Sequence, residues 1–193
     1  MKKARVEAFS DGVIAILITI MILDLRVPHG DGWRALTAVF PHLLTYILSF
    51  IFLGIYWSNH HHMFQAVHHV TGAVLWANLH LLFWLSLVPF VTGWMGENGG
   101  AMLPAAAYGA VLLMCAVSYT ILQNVIIANG AAPELARAVG ADRKGKLSLA
   151  LYVAAIPLSF VRPEIAYTIY VIVALIWLAP DRRIETAYRK DER

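Results

Sequence analysis

Residues 5–25 read RVEAFSDGVIAILITIMILDL, and this stretch decides the fold class. Beyond Asp11 it is almost wholly apolar, close to the run of about 20 residues that spans a bilayer core. A carboxylate placed where such a run begins has two readings. It lies near the interface as a charge at the helix start, or it finds buried polar partners, because an unpaired one in lipid costs several kcal/mol. Within the run, Ile16, Ile20 and Leu23 fall at i, i+4 and i+7 and make one stripe, with Thr19 beside it. A stripe of branched aliphatics reads first as a packing face. The Thr19 hydroxyl reads first as bonded back to its own helix.

The rest of the chain follows the same pattern. Of 193 residues, 60% are hydrophobic and only 14% charged, more apolar surface than a soluble domain of this size hides. Apolar segments are predicted at 9–27, 36–57, 70–94, 103–128, 147–161 and 165–179. The expected class is an all-α integral membrane protein with six transmembrane helices. The last two segments reach only about 22 Å each and are read as short spans. The first run has no small-residue cleavage site, so it is expected to be a span and not a removable leader.

Charge sets the orientation. With both termini cytoplasmic, all of the 15 Lys and Arg residues except Arg26, Arg34 and Arg162 fall inside. Trp33 and Trp94 then lie near the outer interface and Trp57 near the inner one. Residues 1–180 are expected to form one six-helix unit without an internal repeat. Residues 181–193 are expected to be a charged cytoplasmic tail, and 129–146 a cytoplasmic linker with a short helix at 133–139. The basic residues flank apolar runs as topology signals do, so nucleic acid is excluded as a partner. The one cysteine, Cys115, allows no internal disulfide.

Three groups of polar residues remain. Asn78 and His80 lie about two turns into the third segment, at the depth of Asp11. The second segment ends with Trp57, Asn59 and His60. Ser10, Asp11, Asn78, His80 and His60 are therefore candidates for one buried network. His60, His61, His62, His68 and His69 are expected in one cytoplasmic turn. Imidazole clusters cap helix ends, titrate near neutral pH or bind zinc, copper or iron. The metal reading would make the chain a histidine-box membrane enzyme, but His29, His42 and His80 are isolated and supply no further box. A secondary cation transporter is the other alternative. Pro89 and Pro157 could break helices as such folds require, yet no repeat is visible.

Arg5, Phe9, Ser10 and Asp11 form R-x-x-x-F-S-D, followed by Gly12. YWSNHHHMF at 56–64 and NLHLLFWLSLVPF at 78–90 follow in order. Together these segments resemble the transmembrane protein 175 family of potassium channels from prokaryotes and animal lysosomes. The resemblance implies the prokaryotic form, one six-helix unit per chain assembled as a homotetramer in the cell membrane. It implies a potassium-selective channel, not an enzyme, with no catalytic residue, no metal site and no cofactor. Its partners would be further copies of itself, membrane lipid, and permeating K⁺ with other monovalent cations. By distance from Asp11, the pore and filter positions implied are Ile16, Thr19, Ile20 and Leu23, with Ile16 forming the narrowest ring. Arg5, Phe9, Ser10 and Asp11 would hold the first helix in place, with Asn78 and His80 as partners.

The chemistry fits these residues. Nothing in the chain resembles the Thr-Val-Gly-Tyr-Gly carbonyl filter. An isoleucine ring offers no oxygens, so an ion must shed water to pass it, and K⁺ is more weakly hydrated than Na⁺. A slightly narrower ring closes by dewetting. Asp24 and Asp31, at the outer end, would concentrate cations at the mouth.

Overall fold

The computed structural model describes residues 2–25, 27–130 and 142–178. Arg26, Arg137, the short helix expected at 133–139 and the tail at 181–193 lie outside the described residues. Among those described, all regular structure is helical. The helices are α1 (Lys3–Ile20), continued by a 3-10 turn (Met21–Asp24), α2 (Trp33–Gln65), α3 (Gly72–Ser86), α4 (Val88–Glu97), α5 (Met102–Ala128), α6 (Arg143–Ser159) and α7 (Pro163–Leu178).

Local chemistry sets the boundaries. The Thr71 hydroxyl accepts the Val74 N–H and caps α3, and the Asp142 carboxylate accepts the Gly145 N–H and caps α6. Pro163 opens α7, where its fixed φ is already helical and its missing N–H costs nothing.

The third apolar segment differs from expectation. It is two helices, broken at Leu87. Pro89 has no N–H to give the Leu85 carbonyl and its ring crowds that oxygen, so α3 stops and α4 starts afresh. Pro157 sits in the last turn of α6 and Pro41 lies within α2, so neither ends its helix outright. The second segment is longer than expected. Its 33 residues reach about 50 Å, well beyond a hydrocarbon core of about 30 Å. His60, His61 and His62 thus belong to the last turns of α2 and not to a turn, and only His68 and His69 follow in the loop.

Four units are long and apolar enough to cross a membrane: Lys3–Asp24, Trp33–Gln65, Gly72–Glu97 and Met102–Ala128. The first of these includes the 3-10 turn, and the third combines α3 with α4. α6 and α7 are shorter and pack on each other and on α5. α5 also meets α3 and α4, while α1 rests on α2 and α3. Ser49, Thr92 and Tyr108 join α2, α4 and α5 inside the core, with Ser49 Oγ 2.6 Å from Thr92 Oγ1 and 2.9 Å from Tyr108 Oη. Thr92 gives its proton to the Val88 carbonyl. Ser49 must therefore donate to Thr92, and Tyr108 to Ser49, so each of these three hydroxyls is satisfied.

Candidate functional site on the first helix

α1 has two faces of opposite fate. Val6, Ser10, Ile14, Leu17 and Met21 recur at three- and four-residue spacing and are all buried against the chain's own core. The opposite side carries Phe9, Ile16, Ile20 and Leu23, all exposed, Ile16 at 62% and Leu23 at 77%. The aliphatic stripe is thus not a packing face within this chain. Its four large apolar side chains stand on the uncovered side of the bundle. Thr19 lies on the same side, and its hydroxyl donates back to the carbonyls of Ala15 and Ile16, both at 3.0 Å. Its oxygen lone pairs stay free to face outward.

The buried face is pinned by polar groups. Asn78 on α3 donates from Nδ2 to Ser10 Oγ at 2.9 Å. Its Oδ1 lies 2.8 Å from His60 Nε2 on α2. The amide oxygen only accepts, so Nε2 carries the proton and Nδ1 is left as an acceptor. That Nδ1 is buried without a partner among the described residues. Ser10, Asn78 and His60 are 0%, 1% and 1% exposed, so one amide ties three helices together away from water. Next to it, Trp57 Nε1 donates to Asp11 Oδ1 at 3.0 Å, a second link from α2 to α1.

The structure brings Ser10, Asn78 and His60 together. Asp11 is engaged, but by Trp57, which was read only as an interfacial anchor. His80 is not in the network. It lies exposed on α3, where its Nε2 accepts the Trp84 Nε1–H at 3.1 Å. Arg5 and Phe9 also lie exposed, outside the network. Trp57 was legible in principle, since it precedes His60 by three residues and shares its side of α2.

The histidines diverge. His60 turns inward. His61 stacks on Trp57 and meets Gln65 Nε2 at 2.9 Å, and His68 and His69 are exposed in the loop. Among the described residues no three His, Cys, Asp or Glu side chains converge to hold a metal ion.

At the far end of α1, Leu23 and Asp24 open onto a cavity of about 460 Å³ that His42, Trp94 and Glu97 also line. Gly93 brings α4 so close to Asp24 that a Cβ there would stand 3.3 Å from its carboxylate oxygen. Glu97 is a second acidic group at this end that the sequence reading missed. It lies more than 70 residues along the chain, and only folding places it beside Asp24.

The chain is similar to known ion channels. The sequence model of the family described as "Endosomal/lysosomal potassium channel TMEM175" matches residues 5–89. A protein named as a potassium channel from Chryseobacterium sp. (strain P1-3) is 53% identical over 192 residues, covering 99% of this chain and 100% of its own length. Another potassium channel, from Streptomyces collinus, is 40% identical over 129 residues, 63% of each chain. Among solved structures, a lysosomal potassium-selective channel TMEM175 homologue from Chamaesiphon minutus superposes with a TM-score of 0.82. Its sequence identity is 26%, and the match covers 93% of this chain and 97% of that one.

Proposed function

The chain belongs to the TMEM175 family, and on that premise we propose that it is a potassium-selective channel whose pore is lined by α1 from each of four copies. That it is a cation channel and a multi-pass membrane protein, and not an enzyme, follows from the family itself. The finer reading rests on one observation. Ile16, Ile20 and Leu23 stand on the side of α1 that the chain leaves uncovered, while the opposite side is pinned by Ser10.

One uncovered aliphatic stripe cannot enclose a pore. Copies arranged about an axis can, and closed rotational symmetry is the common form of such assemblies. Rings of Ile16, Ile20 and Leu23 would then stack along the axis, with Ile16 narrowest. Each ring makes a permeating ion shed part of its hydration shell, which favours K⁺ over Na⁺, and closes by dewetting when slightly narrower. Thr19, with lone pairs free, would offer oxygens between the Ile16 and Ile20 rings. Asp24 and Glu97 would hold cations at the outer mouth. Phe9 and Arg5, exposed on a single copy, would meet neighbouring copies.

In this reading α6 and α7 complete six crossings, residues 1–180 form the channel unit, and both termini lie on the cytoplasmic side of the cell membrane. Lipid and other copies of the chain are the partners, and monovalent cations are cargo, with no cofactor.

The test is K⁺ and Na⁺ flux into liposomes, wild type beside Ile16→Asn. Wild type should pass K⁺ faster than Na⁺. Ile16→Asn should pass both several-fold faster with the preference lost, since an amide ring wets where isoleucine does not. A conducting wild type with an unchanged Ile16→Asn variant would place the constriction elsewhere.

A further inference from the structure

A second site lies apart from the proposed pore, between α2, α5, α6 and α7. Phe52, Tyr56, Tyr119, Tyr152 and Trp177 surround a cavity of about 40 Å³, and Asp142 stands at its edge. About 10–15 Å³ of such space holds one water, so the cavity admits a group of about three heavy atoms.

The rings are fixed. Tyr56 meets Tyr119 edge-on at 6.2 Å and Phe52 lies 6.5 Å from Tyr152. Trp177 Nε1 donates to Ser148 Oγ at 2.8 Å and Tyr119 Oη to the Asn59 carbonyl at 3.4 Å, so their polar ends are engaged. Tyr56 and Tyr152 line the cavity beside them. Among the described residues no Lys, Arg or His lines it. Asp142 gives one carboxylate oxygen, Oδ1, to the Gly145 N–H at 3.1 Å. Gly145 has no side chain, and a Cβ there would collide with that carboxyl, so the group sits directly over the first turn of α6.

Aromatic faces attract a cation through their quadrupole, and a carboxylate fixes its position. An inorganic cation gains too little from such walls to replace its water. An alkylammonium group does better, because it is weakly hydrated and presents apolar carbon with its charge. We propose that this aromatic cage binds an organic ammonium group, with Asp142 as its counter-ion. Its source is either an aminophospholipid headgroup or a free amine. Arg143 and Lys146, exposed in the first turn of α6, stand where the phosphate of such a headgroup would follow its ammonium.

The test uses the intact channel in detergent at constant ionic strength, titrated with ethylammonium chloride against potassium chloride, and read as the shift in thermal midpoint. Reconstitution into phosphatidylethanolamine–phosphatidylglycerol vesicles, beside phosphatidylglycerol alone, distinguishes the lipid source. The expected result is a saturable midpoint shift with ethylammonium, with the ethanolamine lipid, or with both. Asp142→Asn should weaken it about tenfold while keeping the helix cap, because Asn caps as well as Asp does. Tyr56→Leu should weaken it several-fold. A shift with the lipid alone assigns the site to a headgroup, and a shift with ethylammonium alone assigns it to a free amine. No saturable shift with either probe overturns the proposal. So does one that survives both substitutions, because the ammonium would then be held elsewhere, as in the pore.

Discussion

Asn78 does more than any other single side chain to set the position of α1. Among the described residues its amide is the only group that bonds both Ser10 and His60, and all three are closed off from water. Asn78→Ala would leave a hydroxyl and an imidazole N–H buried without partners. Each such loss costs about 1–3 kcal/mol, so stability should fall by about 3 kcal/mol, read as a lower thermal midpoint in detergent. A midpoint unchanged from wild type would mean that the network is ornamental. His60 and Asn78 were both visible in the sequence, but His80 drew equal weight. It stands two residues beyond Asn78, about 200° round the helix, and so on the opposite face. Depth along a span is legible from a sequence, whereas which side a residue faces depends on what the helix packs against.

Among the elements, α5 carries the densest contacts, and one glycine sets how closely α7 approaches it. A Cβ at Gly109 would collide with the Tyr170 hydroxyl, which donates to the Ala105 carbonyl at 2.8 Å. Gly109→Ala should push α7 outward and cost about 1–3 kcal/mol, as overpacked cores do, again read as a lower midpoint. Adding Tyr170→Phe should restore part of the loss by removing the colliding oxygen. If the double variant is no better than the single one, the strain lies elsewhere. Segment existence was legible from hydropathy for all of these helices, because an apolar run signals burial in lipid or protein alike. The break at Leu87 was signalled by Pro89 but read as one continuous segment. The length of α2 was hidden because its final turns are polar. Asn59 and the histidines look like a loop until Asn59 is seen to bond the Ile55 carbonyl, His60 to bond Asn78 and His61 to stack on Trp57.

Large apolar side chains are exposed on every helix, the α1 stripe among them, and the proposed pore requires that further copies cover that stripe, which drives the assembly prediction. Light scattering in mild detergent should give a protein mass of four chains. A single-chain mass with retained K⁺ flux would sink the pore reading, since one α1 cannot enclose a path. At the far end of α1, Asp24 and Glu97 line one cavity. Replacing both, as Asp24→Asn with Glu97→Gln, should lower single-channel K⁺ conductance about twofold at 0.01 M salt, where the Debye length is about 30 Å. The difference should vanish at 1 M, where charges are screened within about 3 Å. A deficit that persists at high salt would point to direct coordination and not to the field.

Composition and hydropathy alone determined that this chain is a helical membrane protein, because water and lipid sort apolar runs without regard to topology. The ordered signature segments carried the family, since their residues are spaced along the chain itself. The spacing of Ile16, Ile20 and Leu23 gave a stripe but not its direction. Tertiary structure decided that direction: Ser10, bonded to Asn78, turns the other face of α1 inward. It also placed Glu97 beside Asp24 and gathered Tyr56, Tyr119, Tyr152 and Trp177 around Asp142. Contacts between residues so far apart in sequence leave no local trace, because they are set by how helices pack and not by the period of any one of them.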